Sequence, residues 1–348
     1  MPLHKRTITR ASIALALTAA AGAASAQSSV TLYGRVDGAV YYQSRANPGA
    51  HSVTLSSDTS YFGFRGQEDL GGGLSALFKL ESQFDVSTGT SSATGFFNRE
   101  SYVGLSDRQW GSVLLGSMWG PSVWISGKSD AFGRAQLGAV QTLLQGANNR
   151  GNTFQFNNAV QYISPTIGGV FGRVYAQAAE GAATGRNYAM SLDYTKGPAF
   201  VGLSYDNAQI AGSTVGLPAV PVTRSRTLGI GASYDLGFMK LLGYVQNNRV
   251  PSLGAANSRN ISAAIPAGGG EFRIALGHWD RPADADARRV ALGYTYFLSK
   301  RTQVYANMAR LNNGKGSTTM LFPISQDSPA LTGGQSVKAV GLGMRHLF

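Results

Sequence analysis

Apolar and polar residues alternate one by one along most of this chain. Val30, Leu32, Val36 and Val40 interleave with Thr31, Tyr33, Arg35, Asp37 and Tyr41. Leu74, Ala76, Phe78, Leu80 and Phe84 interleave with Ser75, Lys79, Glu81, Gln83 and Asp85. Leu228, Ile230, Ala232, Tyr234 and Leu236 interleave with Thr227, Gly229, Gly231, Ser233 and Asp235. Val290, Leu292, Tyr294, Tyr296 and Leu298 interleave with Arg289, Ala291, Gly293 and Thr295. A period of two puts one set on each face of a strand. No helical period is evident after Gln27.

The pattern predicts sixteen strands, near 30–43, 60–67, 74–86, 97–106, 111–118, 154–163, 170–179, 187–195, 199–207, 225–235, 238–248, 259–265, 271–280, 288–298, 302–311 and 336–348. Short connectors rich in Asp and Gly, such as Glu68–Gly73 and Ser106–Gly111, alternate strictly with long polar ones, such as Gln43–Thr59, Asp206–Thr223 and Asn312–Gln335. Strands of ~10 residues, even in number, with short turns at one rim and long loops at the other, specify a transmembrane antiparallel β-barrel. In lipid every backbone N–H and C=O must pair within the protein, so the sheet has to close. The fold class is therefore all-β: a 16-stranded barrel with short periplasmic turns and long extracellular loops. A secreted all-β protein would alternate too, but would not need this turn asymmetry. Aromatic residues near strand ends, such as Tyr41, Tyr42, Phe84, Tyr162, Tyr205, Tyr296 and Phe348, are expected in the interfacial girdles. Segment 170–179 leaves its faces undecided: Phe171, Arg173 and Tyr175 share one, and Val170, Val174 and Ala176 the other.

Composition agrees. Of 348 residues 45 are glycine, with 15 tyrosines and 16 phenylalanines, and only 14% are charged, against ~25% for a soluble domain. Cysteine is absent, which excludes disulfides, cysteine-ligated metals and thiol nucleophiles. Residues 1–26 read as a secretory signal: a basic start (His4, Lys5, Arg6, Arg10), an apolar stretch from Ile13 to Ala24, and Ala24-Ser25-Ala26 before the cut. The barrel then spans 27–348. Removing the leader's three Lys/Arg leaves 27 basic and 18 acidic residues, a formal +9. An exported chain of that charge meets anionic solutes or anionic lipid rather than nucleic acid.

Nothing in the chain assembles an enzyme or a cofactor site. The four histidines, at 4, 51, 278 and 346, are scattered. Asn313-Gly314-Lys315-Gly316-Ser317 lacks the order of a phosphate-binding loop, and Asp284 with Asp286 reads as solvated rather than metal-binding.

The chain resembles the general diffusion porins of Gram-negative bacteria, of the β-proteobacterial type. The resemblance rests on Ser29-Val30-Thr31-Leu32-Tyr33-Gly34, on Gly63-Phe64-Arg65-Gly66-Gln67-Glu68-Asp69-Leu70-Gly71-Gly72-Gly73-Leu74, and on Arg99-Glu100-Ser101-Tyr102-Val103-Gly104-Leu105. It is most specific over Ala291–Thr302, and the chain ends in the aromatic Phe348 that such proteins use for assembly. The resemblance implies a homotrimer in the outer membrane, in contact with its lipid and lipopolysaccharide. It also implies passive passage of small hydrophilic solutes and ions. The third long loop, about Trp119–Thr153, would fold into the pore as a constriction.

By the same resemblance, the pore constriction is expected to hold Arg35, Lys79, Glu81 and Arg99 on the wall, with Lys128 and Asp130 on the loop. Asp130, in Asp130-Ala131-Phe132-Gly133, would be the carboxylate opposing the wall cations. Two departures thin the usual arginine cluster: Tyr61 and Gln155 stand where arginines are frequent. Structural alternatives exist for several positions. Arg35 would pair with Asp37 or Glu81 in the wall, Lys128 would be solvated at the mouth, and Glu100, opposite in parity to Arg99, would lie at a subunit contact. The net charge tilts the expectation towards mild anion selectivity. The competing function is a substrate-specific or adhesive outer-membrane barrel whose long loops bind a ligand.

Overall fold

Strand alternation closes into a ring. The computed structural model describes residues 29–45, 51–91, 95–145, 154–178, 186–212, 220–251, 253–323 and 331–348. The expected leader, 1–26, lies outside the described residues. The first half comprises β1 (Ser29–Arg45), β2 (His51–Ser57), β3 (Tyr61–Gly71), β4 (Leu74–Gln83), β5 (Glu100–Asp107), β6 (Gly111–Trp119), β7 (Gln155–Ile163) and β8 (Val170–Gln177). The second half comprises β9 (Asn187–Lys196), β10 (Ala199–Gly212), β11 (Val220–Asp235), β12 (Lys240–Val250), β13 (Gly254–Ala267), β14 (Gly270–Asp280), β15 (Ala287–Phe297), β16 (Thr302–Asn313) and β17 (Val337–Leu347). Between β6 and β7 lie two short helices, α1 (Pro121–Lys128) and α2 (Thr142–Gln145). No helix among the described residues is long and apolar enough to cross a membrane.

Strands adjacent in sequence pair antiparallel, apart from β2 and β3, and β1 pairs with β17 from Arg35↔Leu347 to Arg45↔Val337. That last ladder removes both sheet edges. Backbone bonds between Gly34 and Phe348 extend the seam to the final residue. The seventeen segments make sixteen staves, because β2 and β3 both pair with β1 and are two pieces of one stave interrupted at residues 58–60. β2 falls inside the connector expected at Gln43–Thr59. Its outward residues, Val53 and Leu55, are spaced by small polar ones that hid the period. The strict alternation of connector lengths also fails at one place, because only residues 251–253 separate β12 from β13.

The burial pattern is the reverse of a soluble protein's. Leu228, Ile230, Val290 and Leu292 point outward and are exposed, while Ser225, Thr227, Ser233 and Thr295 point inward and are buried. An apolar band facing out requires hydrocarbon there. In β8, Val170 and Val174 face outward and Tyr175 is fully buried, so Phe171, Arg173 and Tyr175 form the inner face. Tyr42, Tyr162, Tyr296 and Phe348 lie outward, as girdle residues should. Tyr41 does not. Its parity is that of the lumen, and its hydroxyl meets Asp58 Oδ2 at 3.5 Å.

Candidate functional site

The connector between β6 and β7 turns into the barrel, and glycines on the inner wall make room for it. α1 starts at Pro121, whose missing N–H costs nothing in a first helical turn. It buries Pro121, Ser122, Ile125 and Ser126 against β9, β10 and β11. A Cβ at Gly202 would lie 2.8 Å from Ile125 Cγ1, and one at Gly231 would lie 2.7 Å from Ile125 Cγ2. Further round, Phe132 sits against Gly293 and Leu143 against Gly277. Gly202, Gly231, Gly277 and Gly293 are thus explained by the inserted loop, whereas Gly341 and Gly343 make room for Tyr41 and Tyr305 of the wall.

Polar contacts fix the loop's far end. Ser258 Oγ donates to Leu143 O at 2.7 Å, and Ala131 N donates to Ser262 Oγ at 3.1 Å. The Arg289 guanidinium, fully buried, donates to Ala139 O and, at 2.6 Å, to Asn260 Oδ1. The last long connector also reaches inward: Phe322 N donates to Thr142 Oγ1 at 3.1 Å, and Met320, Leu321 and Phe322 are buried beneath the loop.

A cavity of about 620 Å³ remains between α1 and the wall made by β1, β3, β4 and β5. Five of the six expected residues line it: Arg35, Lys79, Glu81 and Arg99 from the wall side, and Lys128 from α1. Lys128 is therefore turned into the lumen rather than held at the mouth. Arg35 pairs with neither Asp37 nor Glu81. Its guanidinium donates to Thr59 O at 2.8 and 3.1 Å, while Asp37 is taken by Arg345. Glu81 accepts from Arg99 Nε at 2.8 Å and from the Tyr33 hydroxyl at 3.2 Å, and lies 3.5 Å from Lys79 Nζ.

Asp130 is the exception. It is 4% exposed and does not line the cavity. Its Oδ2 accepts the Arg134 and Val140 N–H groups, both at 2.9 Å, and its Oδ1 accepts that of Phe132 at 3.2 Å. The carboxylate organises the loop tip from inside instead of facing the pore. Burial pushes its pKa upward, against the opposing pull of Arg289 and these three N–H groups.

Among the lining residues that the sequence did not place in the pore, Glu100, Arg134 and Trp124 matter most to its chemistry. Glu100 faces the lumen, not a subunit contact: it stands directly across from Glu81 in the ladder, is 3% exposed and accepts from Lys79 Nζ. Parity misplaced it because Arg99 precedes the start of β5, where the backbone is irregular and the side chain turns in. Arg134 is turned into the cavity by a left-handed backbone (φ 58°), which no periodicity announces. Burial draws its pKa down to about 10, so it stays charged at neutral pH. Trp124 precedes Lys128 by four residues on α1, a spacing that puts both on one helix face.

The cavity thus carries five cations against two carboxylates. Both carboxylates are engaged by Lys79 and Arg99. Among the described residues no salt bridge engages Arg35, Lys128 or Arg134. Among the described residues that line the cavity, acids and bases share the wall, and the charged loop residues are cations. No group of three or more metal-binding side chains occurs among the described residues.

Comparison with known proteins agrees with this architecture. Residues 11–316 match the family model described as Gram-negative porin. The outer membrane porin protein 32 of Delftia acidovorans is 34% identical over 357 residues, covering 97% of this chain and 99% of that protein. An outer membrane porin protein of Bordetella pertussis is 30% identical over 418 residues, covering 99% of this chain and all of the relative. The structure of an anion-selective porin from Comamonas acidovorans superposes with a TM-score of 0.77 at 33% identity, covering 92% of this chain and 100% of that one.

Proposed function

This chain belongs to the Gram-negative porin family and is a passive diffusion channel of the outer membrane, not an enzyme; we propose that its constriction passes small anions in preference to cations. The observation that carries this is the imbalance of five lining cations over two carboxylates, with three of the cations in no salt bridge among the described residues. A ring of uncompensated positive charge lowers the energy of a transiting anion and raises that of a cation. The solved relative described as anion-selective supports the reading. In this reading Arg35, Lys79, Arg99, Lys128 and Arg134 set the sign of selectivity, Glu81 and Glu100 moderate it, and Asp130 holds the loop in place. The test is the reversal potential of the purified protein in a planar bilayer under a potassium chloride gradient. A potential of the sign carried by chloride is expected. The opposite sign refutes the proposal, and absence of conductance from a folded barrel moves the ligand-binding or adhesive reading ahead.

Three finer points belong to the same proposal. Residues 1–26 are taken as a cleaved leader, so sequencing of the outer-membrane protein should begin at Gln27. A homotrimer is supported by the outward phenylalanine cluster Phe62, Phe64, Phe84 and Phe96, with Phe96 58% exposed beside the β4–β5 connector. Aromatic residues are enriched where protein surfaces meet. Current steps closing in threes would accord with it.

Contact with lipopolysaccharide is supported by cations on the outer face towards the long-loop rim. Arg226 and Arg249 are cross-strand partners, His278 lies between Arg259 and Arg288, and Arg310 pairs in register with Lys338. All six Arg and Lys residues are exposed, on the side that carries Leu228, Val290 and Val340 lower down. Such cations are costly in hydrocarbon but favourable at the level of lipid phosphates. Replacing Arg310 and Lys338 by serine should lower the phosphate that co-purifies with the protein.

A further inference from the structure

The cavity's cations rest on aromatic rings to an extent that simple charge selectivity does not require. Arg99 lies between Tyr61 and Trp119, 4.4 and 5.1 Å from their ring centres. Lys128 Nζ lies 4.9 Å from the centre of Phe200 and 5.7 Å from that of Phe171. Arg134 lies 5.4 Å from Phe154, and Arg173, which does not itself line the cavity, lies 5.8 Å from the Trp124 indole. A ring beneath a cation holds it through its quadrupole without neutralising it. Arg99 and Arg173 are also paired with Glu81 and Asp193, and Arg134 donates to Ser126 Oγ. Lys128, with no salt bridge among the described residues, is the cation whose charge is left available beside an apolar surface.

α1 brings the two chemistries together. Its buried face, Pro121, Ser122, Ile125 and Ser126, is fixed against the wall, so the opposite face is fixed towards the cavity. That face presents Val123, Trp124, Gly127 and Lys128. Trp124 and Lys128, four residues apart, have Cβ atoms ~5–6 Å apart on a helix. A flat ring stacked on the Trp124 indole places a carboxylate attached to it within reach of Lys128. A cavity of about 620 Å³ is within the range of sites that hold small organic ligands.

Resting on the anion-selective reading, we propose that the constriction contains a binding site for aromatic carboxylates, built from Trp124 and Lys128. Chloride and aliphatic carboxylates use only the charge. An aromatic carboxylate uses the charge and the rings together, and is retained longer in the cavity. Residence there excludes chloride, so the site is read as block of the chloride current.

The experiment compares benzoate with cyclohexanecarboxylate, which match in charge and closely in size but differ in having a π face. For each, the concentration that halves the chloride conductance is measured on the full-length protein in planar bilayers. Benzoate is expected to reach half-block at a concentration about three- to tenfold lower, the worth of one aromatic pair. Trp124→Leu should bring the two acids to parity, and Trp124→Phe should keep most of the difference. Equal half-block concentrations in the unmodified protein overturn the proposal without requiring any variant to fold. A difference that survives Trp124→Leu overturns the assignment to Trp124. The companion measurement is the reversal potential in potassium chloride. A cation-selective channel sinks both this site and the reading beneath it, whereas an anion-selective channel with equal block sinks the aromatic site alone.

Discussion

Replacing Lys128 by glutamate reverses one charge in the cavity beside the inserted loop and leaves the strand residues of the wall unchanged. The side chain projects from α1 into the cavity, is exposed, and has no ion-pair partner among the described residues. The lining charge falls from five cations against two carboxylates to four against three. In water a unit charge ~7 Å from a transiting ion contributes ~0.6 kcal/mol, and screening at physiological salt roughly halves this. A change of two charge units therefore raises the barrier for chloride by ~0.6 kcal/mol and lowers that for potassium by the same amount. The ratio of anion to cation permeability should fall about eightfold. Lys128→Gln, a change of one unit, should lower it about threefold. Both effects should shrink as salt is raised towards 1 M, where the Debye length falls to ~3 Å. Reversal potentials under a dilute potassium chloride gradient provide the assay. An unchanged potential for Lys128→Glu, in a channel of ordinary conductance, would refute the claim that this residue sees the permeating ion.

The remaining predictions concern the same cavity and the loop that shapes it. Glu81→Gln removes one carboxylate beside Arg99 and Lys79, so anion preference should rise about threefold in the same assay. Asp130→Ala deprives three backbone N–H groups of a charged acceptor, each such bond being worth ~1.5–3 kcal/mol. The loop should loosen while the barrel holds, giving noisier single-channel currents at an unchanged melting temperature. Gly231→Val drives a side chain into Ile125 and Ser129. It should push α1 towards the Arg99 wall and lower the conductance, whereas an unchanged conductance would mean that the helix is not seated on that glycine.

The sequence was most legible where geometry is local. Alternation of period two located every stave, because side chains on a strand point to opposite faces whatever the sheet does globally. Closure also followed, since a membrane leaves no backbone group unpaired. Most of the errors came where the backbone departs from the regular strand. β2 was lost among small polar residues, and the break at residues 58–60 that separates it from β3 bears no periodic mark. Arg99, just outside β5, turned the parity of Glu100 upside down. Tyr41 looked like a girdle residue by its composition and position, but belongs to the lumen by its register.

For the candidate site, the family resemblance together with strand parity singled out Arg35, Lys79, Glu81, Arg99 and Lys128, which line one cavity. Resemblance and parity were insufficient for Asp130, whose chemistry suits both a pore carboxylate and an acceptor for three N–H groups. Only the packing of Phe132, Leu143 and Ile125 against wall glycines decides which way the loop tip points. The sequence by itself determined the barrel, its inside and its outside, because those depend on neighbours along the chain and on the solvent each face meets. Tertiary structure alone decided the charge balance of the constriction. That balance depends on which side chains of an inserted, irregular segment are turned towards residues far away in sequence, and no local period encodes such a choice.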